Sequence, residues 1–227
     1  MNHFSILMHF LRDREKFLEE ISKGIRLEHK IVALLLSSSF FFAIYGAIIG
    51  SSSGLVQLWI SALKLPALYL LTLVICLPAL YFFDIISGSN RSFGQYVALL
   101  LASMSLISVM LFSFAPITLF FRLSINDYTF FKILNVGIFA FTGLIGINSF
   151  YRNLIFIHDQ DSGNLKKHTA IVKAWLVLYG FVGSQLGWTL RPFFGTPDQP
   201  FQLFRTELDS NFYLHIWQVI TGALGSH

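Results

Sequence analysis

The chain has 227 residues, of which 55% are hydrophobic and only 12% charged, with 25 Phe set against 12 acidic side chains. An ordinary soluble domain is about one quarter charged, and a mean hydropathy of +0.65 excludes that class in favour of a chain solvated mostly by lipid. The formal charge of +4 and pI near 9.2 come from scattered basic residues rather than a stripe, which argues against nucleic acid as a partner.

Over 3–27, Phe4, Leu7, Met8, Leu11, Leu18, Ile21 and Ile25 recur at three- and four-residue steps, with Arg12, Asp13, Glu15, Lys16, Glu19, Glu20 and Lys23 on the remaining faces. This spacing predicts an N-terminal amphipathic helix in a cytoplasmic or interfacial segment, 1–30. Its mixed charge argues against a polybasic lipid anchor and for a helix docked on the protein's own cytoplasmic face. The segment is too charged for a cleavable signal peptide.

An all-α, polytopic transmembrane domain is expected over 31–190, with about five spans. The first, 31–50, reads "IVALLLSSSFFFAIYGAIIG" and carries no charge over 20 residues, enough to cross about 30 Å of hydrocarbon. The second, 65–83, is bounded by Lys64 and Asp84 and contains the single cysteine, Cys76, so no internal disulfide can form. The third, 93–121, is long enough to tilt and is expected to kink at Pro116. The fourth, 131–150, can continue as helix through "YRNLIFIHD". The fifth, 170–190, is followed by an aromatic and proline-rich interfacial tail, 191–224. The closing residues 225–227 read as a remnant of cloning and are given no role.

With the N-terminus inside, the inner segments hold 11 basic residues and the outer ones five, Lys64, Arg122, Lys132, Arg191 and Arg205. The bias predicts a cytoplasmic N-terminus and an outside C-terminus. Gly46, Gly50 and Gly54 repeat every four residues, and Gly183 and Gly187 form a second pair. This spacing marks candidate sites of close helix packing, within one chain or between copies.

No residue pattern carries enzymatic chemistry. There is no nucleophile elbow, phosphate-binding glycine loop, H-E-x-x-H or paired-carboxylate arrangement, so no catalytic, cofactor-binding or metal-binding residue is assigned and no cofactor is expected. The turn "HDQDSGNLKKH" lacks the third acidic ligand and the downstream Glu of a calcium loop and reads as a solvated turn. Ionisable residues fall near predicted span ends, so a buried charged relay of the kind coupled transporters need is not evident. Asn135, Asn148 and Gln185 are the candidates for polar cross-links between helices.

The most distinctive stretch is "GSQLGWTLRPFFGTPDQPFQLFR". Trp188 sits where an aromatic belt would place it, Arg191 can cap final carbonyls or snorkel, and Pro192 ends the helix. With Phe193, Phe194, Phe201 and Phe204 the segment reads as an outer lid. Trp217 lies in a short amphipathic helix, "NFYLHIWQVI", that completes this candidate interface for the membrane surface or a protein partner.

The run "AIYGAIIGSSSGLVQLWISALKLPALYLLTLVICLPALYFFDIISGSNRSFGQYVALLL" resembles the Yip1-like superfamily of five-span membrane proteins. The likeness lies in its glycine-rich first span, its lysine-proline entry to the second, and "SFGQ" before the third. It is similar above all to bacterial members ending in "GW-x-LRPF-x-G-x-P", matched at Gly187, Trp188, Leu190 to Phe193, Gly195 and Pro197. The resemblance implies a compact five-helix fold in a bacterial inner membrane and no enzymology. Eukaryotic members act in trafficking with small GTPases, but the N-terminal motif of those proteins has no recognisable counterpart here, so that role is not carried over. The expected function is a scaffold or accessory subunit of a larger membrane complex, with the lipid bilayer and either further copies or other membrane subunits as partners. The alternative is a homo-oligomeric channel or permease for an ion or small solute.

Overall fold

A computed structural model describes residues 3–86, 88–125, 127–159, 165–190 and 193, and every regular element among them is helical. The chain runs through α1 (His3–Arg12), α2 (Arg14–Ser22), α3 (Leu27–Gly50), a 3-10 turn (Ser51–Ser53), α4 (Leu55–Ile86), α5 (Phe93–Ser124), α6 (Tyr128–Asp159) and α7 (Leu165–Thr189). Helices α3 to α7 are long and apolar enough to cross a membrane. Side chains such as Leu55, Trp59, Leu63, Leu123 and Val177 are at least 70% exposed on the bundle's outer surface, as lipid solvation requires.

The boundaries differ from the sequence expectation in two places, each for a local reason. The single helix expected over 3–27 is two helices. Asp13 ends α1 and caps α2, its carboxylate accepting from the Lys16 N–H at 3.4 Å, because a short acidic side chain competes well for backbone donors at a helix start. The second span begins at Leu55 rather than 65, so Lys64 lies well inside α4 and is buried. Pro66 and Pro78 are interior to α4, and Pro116 to α5. Membrane helices tolerate them because neighbouring groups satisfy the released carbonyls.

Helix α5 occupies the middle of the bundle: 61% of its most apolar window is buried, against 11% for α7. Every residue from Ala98 to Ser105 is buried, so this stretch is enclosed on all its faces. It packs against α3 and α6, while α4 packs against α3 and α7. The approach of α3 to α4 is set by glycine. A Cβ on Gly46 would collide with the Ser61 carbonyl oxygen and lie 2.9 Å from its carbon, and one on Gly50 would lie 2.6 Å from the Gln57 carbonyl oxygen. Gly146 serves α6 in the same way against the Ile107 side chain.

Gly54 and Gly187 depart from the packing expectation. Gly54 has φ of +106° and forms the turn into α4, where only a residue without Cβ is unstrained. A Cβ on Gly54 or Gly187 would meet nothing within 4 Å among the described residues, and one on Gly183 would make only ordinary contact with Thr72, 3.5 Å away.

Candidate functional site

Buried polar groups cluster at both ends of the bundle, and those at the α1 end fasten α2 to the membrane helices. Lys30, in the first turn of α3, is buried. Its Nζ donates to Glu20 Oε2 at 2.8 Å and to the Ile25 carbonyl at 2.9 Å, and lies 5.2 Å from the centre of the Phe17 ring. The hydrogen bond from Lys30 holds the Glu20 carboxyl below the usual carboxylate range against the opposing cost of desolvation, with the charges of Lys30, His9 and Lys16 adding to the effect. Ser92 and Gln95 form a capping box at the start of α5. The Gln95 Nε2 then continues to the carbonyls of Ile21 and Ser22 at 3.1 and 2.7 Å, satisfying the open end of α2.

Arg14 completes the fastening. Its Nε donates to Asn153 Oδ1 at 2.7 Å and its Nη2 to the Ser149 carbonyl and hydroxyl at 3.0 and 3.3 Å. Asn153 passes the chain on by donating to Ser103 Oγ at 3.2 Å. Three elements, α2, α6 and α5, are thus joined by one continuous set of hydrogen bonds. Burial, and secondarily the charge of Arg152 beside it, hold the Arg14 guanidinium below its ordinary pKa. Nearby, Asp84 is fully buried and accepts from the Tyr96 hydroxyl, which Ser89 also meets at 2.9 Å, and Arg91 donates to the Ile157 carbonyl at 2.6 Å. Asp84 therefore does not mark the end of a span exposed to water.

At the opposite end, Tyr45 on α3 donates to Asn135 Oδ1 on α6 at 2.7 Å and meets Thr118 of α5 at 3.3 Å, while Asn135 Nδ2 donates to the Phe131 carbonyl at 2.8 Å. Asn148 does not take the cross-linking role expected of it. It is exposed, and Asn153, one turn and a half further on, forms the inter-helix contact. The Gln185 side chain has no hydrogen bond to another helix among the described residues.

Tyr45→Phe removes one donor from this buried set. It is expected to cost about 0.5–1.5 kcal/mol in SDS unfolding followed by tryptophan fluorescence. Adding Asn135→Leu should cost less than the two single changes summed, because the partner group is then no longer left unsatisfied.

The same end receives the chain after α7. The Phe193 carbonyl accepts from Ser61 Oγ at 2.5 Å and Gln57 Nε2 at 3.3 Å, with Gln57 also bonded to Ser61 at 2.9 Å, and its side chain packs against the core. Trp188 lies in the last turn of α7 and is partly buried. Of the remaining candidate interface residues, Arg191, Pro192, Phe194, Phe201, Phe204 and Trp217 lie outside the described residues, as do the side chains of the polar turn at 158–168. Among the described residues no three His, Cys, Asp or Glu side chains converge. Comparison of the chain with family models, curated proteins and solved structures finds no match to any of the three.

Proposed function

We propose that this protein is a non-enzymatic membrane scaffold or accessory subunit, of the kind its likeness to Yip1-like bacterial inner-membrane proteins suggests. Its N-terminal amphipathic segment would be cytoplasmic and its aromatic tail outside. The observation that carries the reading is the enclosure of α5. A helix buried on every face from Ala98 to Ser105 fills the centre of the bundle, and the serines along it bond to backbone within the bundle rather than facing a water path: Ser103 to Leu99, Ser105 to Leu34 and Ser108 to the Ser105 carbonyl. A single copy built this way suits support and contact better than conduction.

Two surfaces suit a partner. One is the α1–α2 pair fastened by Lys30, Gln95 and Arg14. The other is the exposed α4 stripe of Leu55, Trp59 and Leu63, on the helix that also receives Phe193. Native mass measurement after mild solubilisation tests the reading. Copurification with a different membrane polypeptide at fixed stoichiometry is the expected result. A symmetric homo-oligomer whose purified form gives selective solute flux in liposomes would replace the scaffold reading with the channel.

A further inference from the structure

Helices α4, α5, α6 and α7 enclose a cavity of about 120 Å³, somewhat smaller than the ~150 Å³ apolar cavity known to hold benzene. Its walls are almost wholly apolar and include Leu100, Ile107, Phe150 and Trp175. A space with so few polar partners does not retain water well and is suited to hydrocarbon. Two wall residues, Gly143 on α6 and Gly180 on α7, would meet nothing within 4 Å among the described residues if given a Cβ, and Gly180 is exposed. The cavity can therefore be reached from the lipid-facing surface between α6 and α7.

The polar end of this crevice carries positive charge. Lys173 stands seven residues before Gly180, about 10 Å along α7 and on much the same face of it. Its Nζ lies 5.9 Å from the centre of the Tyr151 ring of α6, so the side chain reaches across the crevice. Lys173 is exposed and makes no ion pair with a described residue. Lys173 lies near the start of the apolar stretch Thr169–Thr189, so a phosphate at its ammonium leaves an acyl chain about 10 Å of helix to follow to Gly180.

From this juxtaposition we propose that the α6–α7 crevice is a binding site for an anionic phospholipid, with an acyl chain in the cavity and the phosphate at Lys173. The ammonium favours an anionic over a zwitterionic headgroup, and one basic residue near the membrane surface is worth about a fivefold preference.

Trp175 in the cavity wall supplies the readout. The full-length protein is placed in lipid bilayer discs containing increasing fractions of chain-brominated phosphatidylglycerol or phosphatidylcholine, and tryptophan quenching is followed. The expected result is half-maximal quenching of Trp175 at an about fivefold lower fraction of the phosphatidylglycerol. Lys173→Gln should abolish that preference, and Gly180→Leu should remove Trp175 quenching by both lipids. A Trp175→Phe protein identifies the signal, since Trp59 faces lipid and is quenched regardless. Where that variant does not fold, native mass spectrometry of the wild-type and Lys173→Gln proteins with the two unbrominated lipids replaces it, and the same preference is expected. Equal quenching or equal retention of the two lipids, an undiminished preference in Lys173→Gln, or Trp175 quenching that persists in Gly180→Leu would overturn the proposal. Displacement of phosphatidylglycerol by millimolar inorganic phosphate would also overturn it, by assigning the cation to a free anion.

Discussion

Gly46→Ala is expected to destabilise the bundle by about 3 kcal/mol or more, the upper end of what overpacking costs, while Gly143→Ala leaves it unchanged or slightly more stable. Both substitutions add one methyl to a membrane helix, and both gain up to about 1 kcal/mol of helix propensity. What separates them is the neighbour. The atoms meeting a Cβ at Gly46 are the Ser61 carbonyl group and the Ala62 Cα, at 3.0 Å. All are backbone of α4, so no rotamer change can make room and the two helices must part. At Gly143 there is nothing within 4 Å among the described residues. Gly146→Ala should fall between, because it meets the side chain of Ile107, which can turn. SDS unfolding of the three variants in one detergent gives the order directly, and a Gly46→Ala protein as stable as Gly143→Ala would mean that α3 and α4 do not approach this closely.

The same glycines show where sequence reading reaches its limit. A four-residue repeat of small residues singles out Gly46 and Gly50 for close packing without naming the partner helix, and spacing is blind to a change of element. Gly54 continues the repeat in sequence and belongs to a turn in space. The five membrane helices were legible because a charge-free run of about 20 residues has few other ways to satisfy its backbone. The start of α4 was not. Lys64 reads as the edge of a span, although Gln57, Ser61 and Lys64, spaced four and three apart, share one helix face. That face is buried against α3 and beneath the Phe193 carbonyl.

Arg14 was hidden for a different reason. Read along the chain it is one more charge on the wet side of an amphipathic helix. Its partners, Ser149 and Asn153, lie 135 and 139 residues away, and nothing local announces them. The candidate site was legible in part. The aromatic end of α7 could be singled out, but the cavity and its cation depend on the juxtaposition of four helices.

Glu20→Ala should cost about 2 kcal/mol of stability, and Lys30→Met should cost less. The asymmetry follows from where the two charges sit. The Lys30 side chain is 6% exposed and that of Glu20 is 27% exposed. Removing Glu20 strands an ammonium in a low-dielectric site with one carbonyl and the Phe17 ring. Breaking a fully buried pair in this way costs about 3–5 kcal/mol, and the access of water past position 20 reduces that figure. Removing Lys30 leaves a carboxylate that can turn to solvent. The double variant should therefore recover part of the loss caused by Glu20→Ala.

The pH dependence has a definite sign. Folding lowers the Glu20 pKa, chiefly through the hydrogen bond from Lys30. Its contribution is therefore complete above the unfolded carboxylate value and disappears as pH falls through the folded one, below about pH 4. The stability difference between the wild-type and Glu20→Gln proteins should be constant near neutrality and shrink in acid. A difference that stays the same down to pH 3 would mean that the charge on Glu20 does not hold α2 against α3, and the fastening of the N-terminal helices would then rest on Gln95 and Arg14 alone.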